Sequence, residues 1–274
     1  MFITFYKMSG AGNDFIGIPN LDLRFNDQQK EKLTRLMCPR GTSVGSDGTL
    51  FIEPSDDTDF SMRYYNADGS EAETCGNGAR CIARLAAMLN IAGEKMTFET
   101  RAGIYSGVII DDEDVRVSMS NPTGEKTGIT VDVPEFQGEV DFMNTGVPHV
   151  VASVSSLESY PVQKAGRALR FAEEFQPEGT NANFISLVQS LPAVLRVRTY
   201  ERGVENETLA CGTGCIASAL VASRRFQLNS PVKCKTQGGF DLIIHFRKEN
   251  GAYKDVQLQG PAIQIFRGEY HWKE

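Results

Sequence analysis

Two cysteines, 211 − 75 = 136 positions apart in a chain of 274 residues, carry the spacing that points to chemistry. Each opens a Cys-Gly-x-Gly turn, Cys75-Gly76-Asn77-Gly78 and Cys211-Gly212-Thr213-Gly214. A stretch of helical, small-residue composition follows each: Ala79–Leu89 and Cys215–Ser223. Glycine lets the backbone turn tightly, and a helix start exposes N–H groups that have no partner within the helix. Such an end attracts anions, including a ligand's carboxylate. It also favours a thiolate, so both thiols are expected below the ordinary cysteine pKa of ~8.5. Two thiols converging on one anionic ligand have a natural chemistry, the inversion of an α-carbon. One thiolate removes the proton from one face, and the opposite thiol delivers a new one to the other. Both helix starts would hold the α-carboxylate and stabilise the charge that develops there. No site for pyridoxal phosphate is discernible, so the residues point to a cofactor-free, two-thiol epimerase with its amino acid left open.

The elements that must position these cysteines form an internal repeat. Arg63-Tyr64-Tyr65-Asn66-Ala67-Asp68-Gly69 aligns with Arg198-Thr199-Tyr200-Glu201-Arg202-Gly203, and residues 73–83 align with 207–217. A fainter echo pairs Asn13-Asp14-Phe15-Ile16 with Asn181-Ala182-Asn183-Phe184-Ile185. Two copies of one unit are expected to face each other about a pseudo-two-fold axis, with the repeated cysteines meeting at the interface. Phe2–Lys7, Thr49–Glu53, Phe60–Tyr65, Tyr105–Ile110 and Val115–Met119 read as strands. Asp27–Leu36, with an Asp cap, and Val162–Phe175 read as helices. Asp111-Asp112-Glu113-Asp114 lacks the ligand pattern of a calcium loop and reads as a hairpin turn, and Asn121-Pro122-Thr123-Gly124 reads as a linker.

The composition sets the outer bounds. With 28 basic and 35 acidic residues the net charge is 28 − 35 = −7, which argues against nucleic acid or an anionic membrane as partner. No apolar run reaches the ~20 residues of a membrane span, and Met1–Lys7 lacks the features of a signal peptide, so the cytoplasm is expected. The six cysteines (38, 75, 81, 211, 215 and 234) show no C-x-x-C spacing, and three histidines add no ligand cluster. Cys38, Cys81, Cys215 and Cys234 read as packing residues, and no metal is expected.

The motifs together resemble the diaminopimelate epimerases. The residues that carry the likeness are Lys7-Met8-Ser9-Gly10-Ala11-Gly12-Asn13-Asp14-Phe15, Gly45-Ser46-Asp47-Gly48, Asn66-Ala67-Asp68-Gly69-Ser70-Glu71 and Thr74-Cys75-Gly76-Asn77-Gly78-Ala79-Arg80-Cys81. Gly146-Val147-Pro148-His149, Glu201-Arg202-Gly203 and Cys211-Gly212-Thr213-Gly214 complete them in family order. The resemblance implies interconversion of L,L- and meso-diaminopimelate, for lysine and peptidoglycan synthesis, without cofactor or metal, by a homodimer. It implies an α/β (α+β) fold of two pseudo-symmetric halves. Each is a mainly antiparallel sheet wrapped around a central helix, with the active site in the cleft between them. The expected halves are residues 1–118, completed by the strand 262–274, and residues 119–261. Carried over by position, Cys75 and Cys211 are the acid/base pair. Backbone N–H groups of Gly76, Asn77, Gly212 and Thr213 hold the reacting carboxylate. Asn13, Asn66, Asn181 and Arg202, with Glu201 nearby, bind the distal end of the small-molecule substrate. His149 and Glu201 orient or tune the thiols. Many relatives have Asn where this chain has Val147, so a polar contact to that distal end is missing or supplied elsewhere.

Plainer readings stand beside these. Glu201 and Arg202 could be an exposed ion pair, and His149 a satisfied loop histidine. Gly10-Ala11-Gly12 opens like a dinucleotide fingerprint, but Phe15 stands in place of the third glycine. Proline and hydroxyproline racemases share the two-cysteine logic, but they typically carry His where this chain has Asn77. Phenazine-biosynthesis isomerases lack the cysteine pair. A zinc- or disulfide-stapled binding module is the alternative from outside the enzymes.

Overall fold

The computed structural model describes residues 1–73 and 75–273, so Thr74 of the first cysteine motif and Glu274 of the expected closing strand lie outside the described residues. In chain order the elements are β1 (Phe2–Gly10), β2 (Asn13–Pro19), α1 (Asp27–Met37), β3 (Gly48–Glu53), β4 (Phe60–Asn66), β5 (Glu71–Ala72), α2 (Gly76–Met88), β6 (Lys95–Thr100), β7 (Gly103–Ile109) and β8 (Asp114–Ser118). They continue with β9 (Thr123–Val133), β10 (Phe136–Asn144), β11 (Pro148–Ser153), α3 (Val162–Arg170), β12 (Asn181–Ser190), β13 (Ala193–Glu201), β14 (Asn206–Thr208) and α4 (Gly212–Arg225). The last are β15 (Val232–Lys235), β16 (Asp241–Glu249), β17 (Ala252–Pro261) and β18 (Ile263–His271). The chain forms two compact units, Met1–Ser118 with Gln259–Glu274, and Met119–Leu258. Among the described residues no helix is long and apolar enough to cross a membrane.

In the first unit β18, β1 and β2 run antiparallel in series, β2 pairs parallel with β3, and β3 pairs antiparallel with β4. β4 pairs parallel with β6, which leads antiparallel through β7 to β8. The second unit repeats this order: β9, β10 and β11 are antiparallel, β11–β12 parallel, β12–β13 antiparallel, β13–β15 parallel and β15–β16 antiparallel. The sheets are thus mainly antiparallel, with two of the pairings just described parallel in each unit. The repeat reaches the side chains. Arg63 of β4 pairs with Glu71 of β5, and Arg198 of β13 with Glu207 of β14.

Each sheet curls around one helix. α2 packs on β1, β2, β3, β4, β7, β8 and β18, and α4 on β10, β11, β12, β13, β15 and β16. A helix enclosed in this way is largely apolar or small, and the charged side chains that α2 does bury are hydrogen-bonded, Arg80 to Asn77 Oδ1 and Arg84 to Ala262 O. Residues Ala79, Cys81, Ile82, Ala83, Leu85 and Ala86 of α2, and Cys215–Ala222 of α4, are all buried. Small residues bring the strands close. A Cβ on Gly17 of β2 would stand 2.4 Å from Leu85 Cδ2, so an alanine there would force the Leu85 side chain to move.

The topology corrects three sequence expectations. The echo between Asn13–Ile16 and Asn181–Ile185 is not structural: Asn13 begins the second strand of its unit, whereas Asn181 begins a strand equivalent to β3. The positional counterpart of Asn13 is Pro148, each being the first residue after a hairpin turn. Helix α1 is capped by Asn26 rather than Asp27, in a reciprocal capping box with Gln29. The second expected helix is α3 alone, and Glu173–Phe175 forms a separate 3-10 turn. The acidic stretch is a hairpin turn in which the Asp111 carboxylate accepts from the N–H groups of Glu113 and Asp114.

Candidate active site

In the first unit Cys75 is the N-cap of α2, with extended backbone (φ −146°, ψ 119°), so the helix begins at Gly76. Asn77 is buried in the first turn. Its Nδ2 donates to Asn13 Oδ1 at 2.6 Å, and its Oδ1 accepts from Arg80 Nη2 at 2.9 Å. Asn13 reaches this helix because the β1–β2 hairpin is tight: Ala11 and Gly12 carry φ of 55° and 94°. At Gly10 a Cβ would lie 2.9 Å from both Asn77 O and Cys81 Sγ, so a bare backbone is needed there. Asn13 Nδ2 donates in turn to Asp47 Oδ2 at 2.9 Å. Behind this pair, Arg40 bridges Asp14 and Asp47, and Lys7 Nζ lies 2.7 Å from Asp14. Burial pushes the Asp14 carboxyl up, but the hydrogen bonds and charges of Arg40 and Lys7 outweigh it and hold it at about 2. Asn66 closes β4 opposite Gly48, its amide donating to Ser70 Oγ at 3.1 Å, and Ala67 N–H donates to Asp47 O at 3.2 Å. Asp47 therefore ties the Asn13 and Asn66 segments together.

In the second unit Cys211 is the N-cap of α4. Its sulfur accepts from Gly214 N–H at 3.4 Å and lies 3.5 Å from Thr213 Oγ1, while Thr145 Oγ1 donates to Thr213 O at 3.0 Å. The expected lowering of the thiol pKa does not hold at Cys211. Burial is the largest influence and the Glu201 carboxylate adds to it; together they raise the thiol well above its ordinary value, against the Thr213 and Gly214 hydrogen bonds. Desolvation of the charged form outweighs the helix start. Glu201 is itself oriented by Thr208, whose hydroxyl donates to it at 3.0 Å.

Asn181 is only 5% exposed, and its amide is engaged with backbone. It donates to Pro148 O at 3.0 Å and accepts from Arg202 N–H at 2.8 Å. It thus fixes the turn that carries Arg202, whose Nη1 donates to Glu178 O at 2.7 Å. His149 lies on strand β11, not in a loop, and is fully buried. Burial, reinforced by the Arg202 charge, lowers it to about 3 against an opposing Asn183 hydrogen bond, so the ring is neutral. The Cys81 thiol is pushed up to about 12 by burial, in keeping with packing. Among the described residues no group of three His, Cys, Asp or Glu is arranged to hold a metal.

The first unit therefore gathers Cys75, Gly76, Asn77, Asn13 and Asn66, and the second gathers Cys211, Gly212, Thr213, Glu201, Arg202, Asn181 and His149. Sequence reasoning missed Asp47, Arg40 and Lys7, which support the Asn13 segment, Asn183, which bonds His149, and Thr199, which bonds Asn183 in turn. Lys7, Asp14 and Asp47 stood inside quoted motifs, but no spacing links residues 7, 40 and 47. Half-buried Tyr64 is a further neighbour of Cys75. Burial raises its phenol pKa, and Cys75 and Asp47 add to the shift.

A sequence profile of the family described as diaminopimelate epimerase matches residues 5–124 and 142–262. The diaminopimelate epimerase of Aquifex aeolicus is 42% identical, over 97% of this chain and 97% of its own length. Among solved structures, a Bacillus anthracis phenazine biosynthesis protein of the PhzF family superimposes with a TM-score of 0.76 at 14% identity, covering 99% of this chain and 100% of its own. A probable proline racemase from Agrobacterium radiobacter superimposes with a TM-score of 0.71 at 14% identity, covering 99% and 93%. At that identity the two structures establish a shared fold.

Proposed function

Because this chain belongs to the diaminopimelate epimerase family, we propose that it interconverts L,L- and meso-diaminopimelate with Cys75 and Cys211 as its acid/base pair, in the supply of lysine and peptidoglycan precursors. One observation carries the mechanism: each of these cysteines is the residue immediately before the first turn of a buried central helix. N–H groups that have no partner within the helix, those of Gly76 and Asn77 and of Gly212 and Thr213, suit the α-carboxylate and the charge that grows on it during deprotonation.

In this reading one sulfur, as thiolate, takes the α-proton, and the electron pair left on carbon is stabilised through the carboxylate. The other sulfur, as thiol, delivers a proton to the opposite face. Nothing is consumed: the pair ends with its protonation states exchanged, ready for the reverse reaction, and returns to its starting form by exchanging protons with solvent. The raised pKa of Cys211 suits it to the proton-donor role in one direction of the reaction. Asn13, Asn66, Asn181, Glu201 and Arg202 bind the distal amino-acid end. Of these, Arg202 supplies the cation for the distal carboxylate, on a turn held by Asn181. His149 supports the thiols as a neutral ring. The reaction requires neither cofactor nor metal.

The protein would act in the cytoplasm as a homodimer. β18 presents Ile263, Ile265 and Phe266 to solvent, an apolar surface that suits a second copy, and sedimentation measures that assembly directly. The activity is tested by incubating the reduced protein with L,L-diaminopimelate in deuterium oxide. Meso product carrying α-deuterium is the expected result. Its absence, or turnover of proline at equal efficiency, would assign the chain to another reaction.

A further inference from the structure

Asn183 is fully buried on β12, with His149 on the neighbouring strand β11 and Thr199 directly opposite it on β13. The acceptor-only carbonyl of Val150 identifies the nitrogen end of the amide: Nδ2 lies 2.9 Å from Val150 O and 3.0 Å from His149 Nδ1. The oxygen end accepts from Thr199 Oγ1 at 2.9 Å. An amide nitrogen has two hydrogens. One is taken by Val150 O, so the other meets Nδ1, which must offer a lone pair rather than a proton. The ring proton is then on Nε2. That nitrogen is buried and has no hydrogen-bond partner among the described residues. A buried donor with nothing to bond to is costly unless the working site supplies an acceptor.

We infer that Asn183 is a positioning residue that fixes His149 as the neutral Nε2–H tautomer, so that His149 serves the site as a hydrogen-bond donor and not as a general base. This rests on the reading that His149 belongs to the active site. The same amide also seats helix α4. A Cβ on Gly214 would lie 2.3 Å from Asn183 Oδ1, so the amide oxygen fills the space that this glycine leaves open. Gly214 is the residue whose N–H bonds the Cys211 sulfur. One side chain thereby sets both the histidine ring and the helix start beneath the thiol. An aspartate could not do the same. Its carboxylate would accept from Nδ1–H, stabilise the opposite tautomer and favour the imidazolium.

The test is ring-nitrogen NMR on 15N-histidine-labelled protein, which has three histidines (149, 245 and 271), with His149 assigned through His149→Gln. In the unmodified protein His149 should show a protonated Nε2 and an unprotonated Nδ1, unchanged between about pH 5.5 and 8. In Asn183→Asp the Nδ1 signal should become that of a protonated nitrogen, and the kcat/KM profile should gain an ionisation near neutral pH. A ring that is protonated on Nδ1, or that titrates with an ordinary midpoint, in the unmodified protein would overturn the inference. An unaltered ring in Asn183→Asp would do so as well. If that variant does not fold, the measurement on the unmodified protein decides alone. The NMR result is independent of turnover, so failure of the epimerase assay and failure of this inference are separate outcomes.

Discussion

The Asp47 carboxylate accepts a hydrogen bond from the side-chain amide of Asn13 at 2.9 Å, and this contact decides which end of Asn13 faces helix α2. With its nitrogen held by Asp47, Asn13 presents its oxygen to Asn77 in the first turn after Cys75. Removing the carboxylate leaves that orientation unspecified. Asp47→Ala should raise the KM for diaminopimelate about tenfold, as expected for a loss on the order of 1–2 kcal/mol in a partly buried polar network, with a smaller change in kcat. Steady-state kinetics in both directions would measure it, and an unchanged KM would mean that Asn13 is held by other contacts.

Replacing either Cys75 or Cys211 by alanine should abolish epimerisation and leave the circular dichroism spectrum intact, because each change removes one acid/base face. Cys→Ser keeps the size but supplies a far weaker acid, so only a small residue of activity should survive. Exchange of the α-proton with deuterium oxide measures both, and near-normal turnover by either alanine variant would exclude the two-thiol mechanism.

The raised pKa of Cys211 has a defined sign. Burial and the Glu201 carboxylate both disfavour the thiolate, so the group is a neutral thiol at pH 7 and ionises only well into the alkaline range. Glu201→Gln removes a negative charge and must lower that pKa. Alkylation of Cys211 by iodoacetamide, followed by mass spectrometry across pH, should move to lower pH in the variant. A curve that moves upward or stays in place would remove Glu201 as an influence on the thiol.

Arg202 can grip a distal carboxylate with two parallel N–H donors, a geometry that lysine does not reproduce. Losing that contact would cost on the order of 2–5 kcal/mol, so Arg202→Lys should reduce kcat/KM for diaminopimelate at least tenfold. Proline should be no substrate for either form. Unchanged kcat/KM in the variant would show that the distal end is bound elsewhere.

A stability prediction concerns the first unit alone. Lys30 Nζ lies 2.6 Å from Glu53 Oε1, both side chains are buried, and Asn20 Nδ2 donates to the same oxygen at 2.7 Å. Lys30→Met strands much of the Glu53 charge, although Arg63 remains 3.6 Å from its other oxygen. Chemical denaturation should show a loss on the order of 2–4 kcal/mol. Lys30→Met with Glu53→Gln should recover part of it, since the double change removes the stranded charge.

The sequence by itself determined what is local or repeated. The Cys-Gly-x-Gly turns, the small residues that follow them and the 136-residue offset placed both cysteines at helix starts, because glycine freedom and helix composition act over a few neighbouring residues. Strand composition and the acidic turn were legible for the same reason. Other features needed the tertiary structure. The apparent likeness of Asn13 and Asn181 dissolved because strand order, set by pairing across the sheet, assigns them to different elements. The Cys211 pKa went up rather than down because burial and the nearness of Glu201 depend on packing, and desolvation outweighs a helix start whose sign the sequence does show. Asp47 beneath Asn13, and Asn183 beside His149, are contacts across 34 residues each. No local spacing encodes such contacts; they arise when hydrophobic burial curls each sheet around its helix and brings the strand ends together.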